Sequence, residues 1–227
     1  MKTTTLNLEQ TTTGIKVAKL SVVFSVSAIA LLFLLHLLSP EFGPSWRMVS
    51  EYAYGSHQWA LTLFFLCWGI SSWCLAIVLW NVVTTKLAKT GVVLLFISGI
   101  GEASASIFDV EHSLHGLAGT LGVPTLPIAA LLITYHLKSK EQFKPYKNSL
   151  LLTAHGTWTS LVLMIISMIV LITGFQNAGI EFGEGSKPPE SVPDGVIAVA
   201  GYANRLFIIA YNLWLILVAR TFITTQK

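Results

Sequence analysis

Charge is what this chain has least of. Only 11% of its 227 residues are Asp, Glu, Lys or Arg, against about 25% in a soluble globular domain. So large a deficit excludes an ordinary water-facing surface. Cysteine is nearly missing as well. Cys67 and Cys74 are the two present. On one face of an expected helix they stand about 10 Å apart along its axis, too far for a disulfide. No G-x-S-x-G, H-E-x-x-H or Walker pattern occurs, so the commonest hydrolase, metalloprotease and nucleotide-loop signatures are missing. Also absent are a C-x-x-C-H for covalent haem, a polar linker, a low-complexity arm and the internal repeat that marks many transporters.

What fills the chain instead is apolar. Hydrophobic residues make up 53% and the mean hydropathy is +0.68. A span needs about 20 mostly apolar residues to cross a ~30 Å hydrocarbon layer. Six segments qualify: 19–38, 59–83, 90–108, 117–136, 149–174 and 197–219. The fold class this predicts is an all-α integral membrane protein, a six-helix bundle forming a single transmembrane domain over residues 1–227. The first apolar run follows Lys16 and Lys19, exceeds a signal-peptide core in length and has no A-x-A-like site after it, so it reads as a retained helix. Pro124 and Pro127 predict a kink in the fourth segment.

Charge then sets orientation. With both termini inside, 11 of the 14 basic residues fall on the inner side: Lys2, Lys16, Lys19, Lys86, Lys89, Lys138, Lys140, Lys144, Lys147, Arg220 and Lys227. Arg47, Lys187 and Arg205 are outer or embedded. The positive-inside rule therefore predicts cytoplasmic termini. Acids run the other way, with Glu9 and Glu141 inside and the other nine of 11 outer or embedded. The net charge of +3 is the balance of two opposed faces and no sign of nucleic-acid binding.

Several polar residues need more than a loop explanation. Glu102 lies about 10 Å below the outer end of the third helix, and Arg205 lies similarly deep in GYANRLFIIAYN. Ionisable groups at such depth usually face a partner or a cavity. Equal depth and opposite sign predict a Glu102–Arg205 pair. The pair is either a structural lock or leaves Arg205 to bind an anionic headgroup or a developing oxyanion. The outer loop SPEFGPSWRMVSEYAYGSHQ sets Ser50 and Glu51 among aromatics with Arg47. Tyr52, Tyr54 and Trp59 there suit an interfacial aromatic belt.

The stretch FDVEHSLHGLAG holds Asp109, Glu111, His112 and His115. If 109–116 is helical, Asp109, His112 and His115 share a face. Two histidines one turn apart can chelate zinc or another divalent metal, with a neighbouring carboxylate to orient them. His57 is the expected third ligand, with Glu51 and His36 as alternatives. The competing reading is a short solvated turn. His57 also suits a helix cap, and His36 an interfacial histidine bonded to a carbonyl. His136 and His155 lie toward the inner face at unequal depths, which disfavours a shared haem. The small residues of GLAGTLG allow a neighbouring helix to approach closely.

Six spans, SEYAYG in the first outer loop, a D-x-x-H element after the third span and GYANR opening the last resemble the bacterial and archaeal membrane proteins of the domain-of-unknown-function 998 family. The likeness covers residues 15–222 and implies architecture rather than an activity. A looser likeness joins six-span lipid-remodelling factors and membrane hydrolases that use Ser, Asp and three His around zinc. Ser50, Asp109, His112 and His115 match those residue types; the seven-span layout and H-x-x-x-H spacing do not. The function expected is a membrane-embedded lipid hydrolase or acyl/headgroup transferase with an outward-facing site. Ser50, Glu51, Asp109 and Glu111 would do the chemistry, and Arg47, Tyr52, Glu102, Asn204 and Arg205 would bind a membrane lipid. His112, His115 and His57 would hold the metal. The rivals are a proton-coupled transporter and a non-catalytic assembly subunit.

Overall fold

The computed structural model describes residues 2–180 and 189–226, with side chains from residue 12 onward. Lys187 and Lys227, counted above on the outer and inner sides, lie outside the described residues. Every regular element among the described residues is helical: α1 Lys2–Leu38, α2 Gln58–Trp80, α3 Lys86–Ser104, α4 His115–Gly122, α5 Thr125–Leu137, α6 Lys147–Asn177 and α7 Ala200–Thr225. Two 3-10 turns, Val49–Tyr54 and Glu141–Tyr146, sit in the connections. Six stretches are long and apolar enough to cross a membrane, with α4 and α5 together making the fourth. The protein is a multi-pass integral membrane protein.

The helix ends depart from the hydropathy limits for local reasons. α3 begins at Lys86 rather than 90 because the Thr85 side chain accepts the Ala88 N–H, an N-cap that hydropathy does not register. It stops at Ser104, so residues 105–114 form turns. The fourth span goes further than a kink and divides at Val123–Pro124. Pro124 and Pro127 each lack an N–H, which frees carbonyls one turn earlier. Neighbouring hydroxyls cover this stretch of backbone. Tyr211 of α7 donates to the Gly122 carbonyl at 2.7 Å, and Ser98 of α3 reaches the same oxygen at 3.0 Å. Exposed backbone is tolerated in a bilayer only where protein satisfies it in this way.

Each span packs on its sequence neighbours, and α7 closes the ring against α1. A Cβ on Gly14 would lie 3.4 Å from the Phe222 ring, so the start of α1 meets the end of α7 and both termini share one face. The opposite face is called distal below. α7 is the most buried span, with Phe207, Tyr211 and Trp214 almost wholly enclosed. In lipid, helix association rests on close packing and interhelical hydrogen bonds of about 0.6–2 kcal/mol each. Both are present. Ser71 donates to the Ser21 carbonyl at 2.9 Å and lies 2.7 Å from Ser25 Oγ. Gly101 abuts the backbone of Ala118 and Gly122, so the small residues of α4 bring it against α3 as expected.

Candidate functional site

The first distal loop is the keystone of the site. Glu51 caps its own 3-10 turn, accepting the Met48 N–H at 2.7 Å on Oε1 and the Arg47 guanidinium at 2.7 Å on Oε2. Arg47 also donates to the Pro189 carbonyl at 2.6 Å and lies over the Trp46 ring. Gly201, at the start of α7, donates its N–H to the Ser45 carbonyl at 2.8 Å. The loop is thus latched onto the GYANR end of the last span.

Arg205 completes the latch. Its Nε donates to His36 Nε2 at 2.6 Å, its Nη1 to the Arg47 and Gly201 carbonyls at 2.7 and 3.0 Å, and its Nη2 to the Tyr52 hydroxyl at 3.1 Å. This corrects the expected Glu102–Arg205 pair. Equal depth does not mean equal azimuth: His36 of α1 and the first loop take the guanidinium, while Glu102 is met by Ser72 of α2. Four of the five N–H groups of Arg205 are occupied by protein. Tyr52 is fully buried rather than interfacial; of the proposed belt, Tyr54 and Trp59 are exposed.

Beneath the loop lies a pocket of about 200 Å³, walled by Phe65 and Trp68 of α2, Glu102 of α3, His115 and Gly119 of α4, Met164 of α6, and Asn204 and Phe207 of α7, with Met48, Val49 and Ser50 across its distal end. Four of the expected site residues meet here: Ser50, Glu102, His115 and Asn204. Asn204 is oriented, accepting the Val49 N–H at 3.0 Å and donating to Met164 Sδ at 3.3 Å. His115 Nδ1 lies 2.9 Å from the Phe108 carbonyl. That contact assigns the hydrogen to Nδ1 and leaves Nε2 with a lone pair. Glu102 Oε2 accepts from Ser72 at 2.7 Å, and its Oε1 lies 2.8 Å from Ser98 Oγ.

The acidic turn is built differently from the continuous helix considered above. Residues 109–114 are turns, and α4 starts only at His115. Asp109 Oδ1 accepts the Glu111 N–H at 3.1 Å, an Asx turn, and its Oδ2 accepts from Gln58 at 3.3 Å. His112 accepts the Leu114 N–H at 3.1 Å and packs on Phe108. His57 Nδ1 lies 3.2 Å from Ser39 Oγ. Asp109, His112 and His115 therefore share no helical face. Among the described residues no three His, Cys, Asp or Glu converge as metal ligands, so His112, His115 and His57 are not gathered into one coordination site. His136 faces Thr84 and Thr85, and His155 accepts from Trp158.

Burial and the carboxylates of Glu111, Glu51 and Asp109 push the Tyr54 phenol up from its ordinary value, with Arg47 opposing them. The acidic turn and the first loop thus share one electrostatic neighbourhood.

Sequence reasoning missed Ser72, Ser98, Tyr211 and Trp68. Ser98 stands one turn before Glu102, a spacing that could have flagged it. Trp68 lines the pocket and carries an indole N–H without a hydrogen-bond partner among the described residues; no sequence pattern marks it.

Comparison with known proteins gives the family. The model of the family described as "Protein of unknown function (DUF998)" matches residues 22–221, a stretch that takes in SEYAYG, D-x-x-H and GYANR, and the chain belongs to that family. No curated protein and no solved structure matches the chain. The looser likeness to Ser/Asp/His zinc hydrolases finds no support in these comparisons.

Proposed function

We propose that this DUF998-family protein is a membrane-embedded hydrolase or acyl/headgroup transferase that admits part of a membrane lipid into the pocket between α3, α4 and α7. One observation carries the reading: Ser50, Glu102, His115 and Asn204, from four separate segments, line a single and otherwise largely apolar pocket. About 200 Å³ falls below the ~300–1,000 Å³ of pockets that enclose a drug-sized ligand. The occupant is therefore the reacting part of a lipid, with the remainder left in the bilayer. His115 would serve as general base through Nε2, because its Nδ1–H is held by the Phe108 carbonyl. Ser50 would be the nucleophile or would position a water. Asn204 would hold a polar substituent at the wall. The basic bias of the terminal face supports cytoplasmic termini and a pocket on the non-cytoplasmic side of a prokaryotic membrane.

The test is turnover of a total lipid extract in nanodiscs, followed by mass spectrometry of the lipid products. His115→Ala and Ser50→Ala should lower product formation by about 100-fold or more, while His112→Ala should leave it near wild type. Equal turnover in all variants, or none in the wild type, overturns the reading. Metal analysis of the wild type, His112→Ala and His115→Ala proteins tests a zinc-dependent form separately.

A second reading, a proton-coupled carrier, is favoured by one observation: the fourth span breaks beside the pocket, as substrate-binding spans of transporters do. Solute uptake into liposomes without lipid products, unaffected by His115→Ala, would establish it in place of the first.

A further inference from the structure

The short oxygen contacts that join α2, α3, α4 and α7 around Glu102 number one more than the hydrogens of their hydroxyls. Four are 3.0 Å or shorter: Ser72 Oγ to Glu102 Oε2 at 2.7 Å, Ser98 Oγ to Glu102 Oε1 at 2.8 Å, Ser98 Oγ to the Gly122 carbonyl at 3.0 Å, and Tyr211 Oη to the same carbonyl at 2.7 Å. With a separate two-centre hydrogen in each, four are needed, and neither a carbonyl nor an ionised carboxylate has one to give. Ser72, Ser98 and Tyr211 supply three. A hydrogen on Glu102 Oε1 supplies the fourth: Oε1–H donates to Ser98, Ser98 and Tyr211 donate to Gly122, and Ser72 donates to Oε2.

We propose that Glu102 is a proton-binding site whose occupancy is coupled to the break between α4 and α5. The residue is 4% exposed, and it belongs to the pocket wall, so the pocket is the route by which a proton arrives. The surrounding elements leave few alternatives. α2 presents Ser72 and Trp68, α7 presents Tyr211, and α4 contributes His115 to the same pocket. Among the described residues no Lys or Arg forms an ion pair with Glu102, and Arg205 is committed to the loop. When the proton leaves, the single hydrogen of Ser98 serves either Glu102 or the Gly122 carbonyl. The link from α3 to the broken span is then weakened. This coupling is independent of whether the pocket serves hydrolysis or transport.

Infrared difference spectroscopy of the full-length protein in nanodiscs at pH 7 tests it. Subtracting Glu102→Gln from wild type should reveal a protonated-carboxyl C=O band, lost in the variant and shifted by deuterium exchange. Ser72→Ala should move that band to higher frequency, because the carbonyl oxygen loses its donor. A difference spectrum showing only ionised-carboxylate bands overturns the proposal, as does one whose carboxylate bands respond to sodium and reveal a metal cation in the proton's place. Should Glu102→Gln fail to fold, Ser72→Ala alone decides: a shifted protonated-carboxyl band supports the site and an unmoved spectrum overturns it.

Discussion

Arg205 and His36 meet nitrogen to nitrogen, with the guanidinium Nε–H directed at the imidazole Nε2 at 2.6 Å. The other imidazole nitrogen lies 2.6 Å from the Leu32 carbonyl, which assigns its hydrogen to Nδ1 and makes His36 a neutral acceptor. A buried arginine is thus held by four neutral acceptors, two of them backbone carbonyls, at the junction of α1, the first distal loop and α7. Its role in the structure is to seat the roof of the pocket.

Arg205→Lys should be destabilising despite its conserved charge, since an ammonium cannot reproduce the planar fork that reaches four acceptors. Hydrogen bonds to charged groups contribute about 1.5–3 kcal/mol each. Replacement should lower the thermal unfolding midpoint by several degrees. His36→Ala, which orphans a single N–H, should cost less, about 1–3 kcal/mol. Equal midpoints for wild type and Arg205→Lys would show that the latch contributes nothing.

Two glycines should separate sharply. A Cβ on Gly201 would sit 2.5 Å from the Pro44 carbonyl and 2.6 Å from the Arg47 carbonyl, both backbone. Gly201→Ala must therefore push the loop off α7. Gly116, in α4, has nothing within 4 Å of its Cβ position. Gly116→Ala should be neutral or stabilising by about 0.5–1 kcal/mol, from helix propensity. Limited proteolysis of the first distal loop, alongside unfolding midpoints, distinguishes the pair.

Much of this is legible in the sequence, and what is not turns on local hydrogen bonding and on the direction each side chain faces. Apolar runs locate all six spans, and Pro124 with Pro127 marks the fourth as irregular. Glu102 is out of place by its depth, and Ser50, His115 and Asn204 are among the expected site residues that line the pocket. What hydropathy reports is depth, and depth does not give the direction a side chain faces around its helix. Glu102 and Arg205 match in depth and sign, yet Glu102 is held by Ser72 and Ser98 while Arg205 is held by His36 and the first distal loop. In the same way, His112 and His115 looked like one helical pair, but the Asx turn at Asp109 delays the helix until His115 and leaves His112 outside the pocket.

Tyr54 reports on how close the acidic turn lies to the first loop. Its phenol is pushed up by burial first, then by Glu111, Glu51 and Asp109. Glu111→Gln and Asp109→Asn should therefore bring its ultraviolet titration back down toward 10, read as the difference from Tyr54→Phe. The raised value also fixes the sign of its linkage to folding: the contribution is fully present below about pH 10 and is lost as pH rises through the folded-state value. A midpoint unmoved by both substitutions would place the turn away from the loop.

The central claim is that a membrane lipid enters the pocket under the Arg205 latch, and a photoactivatable lipid tests it most directly. Crosslinks mapped by mass spectrometry should concentrate on Gly119, Asn204 and Phe207. Gly119→Phe should abolish them, because a Cβ at that position meets open space and the ring then fills the pocket. Labelling spread evenly over the lipid-facing surface of α6, and unchanged by Gly119→Phe, would contradict the account.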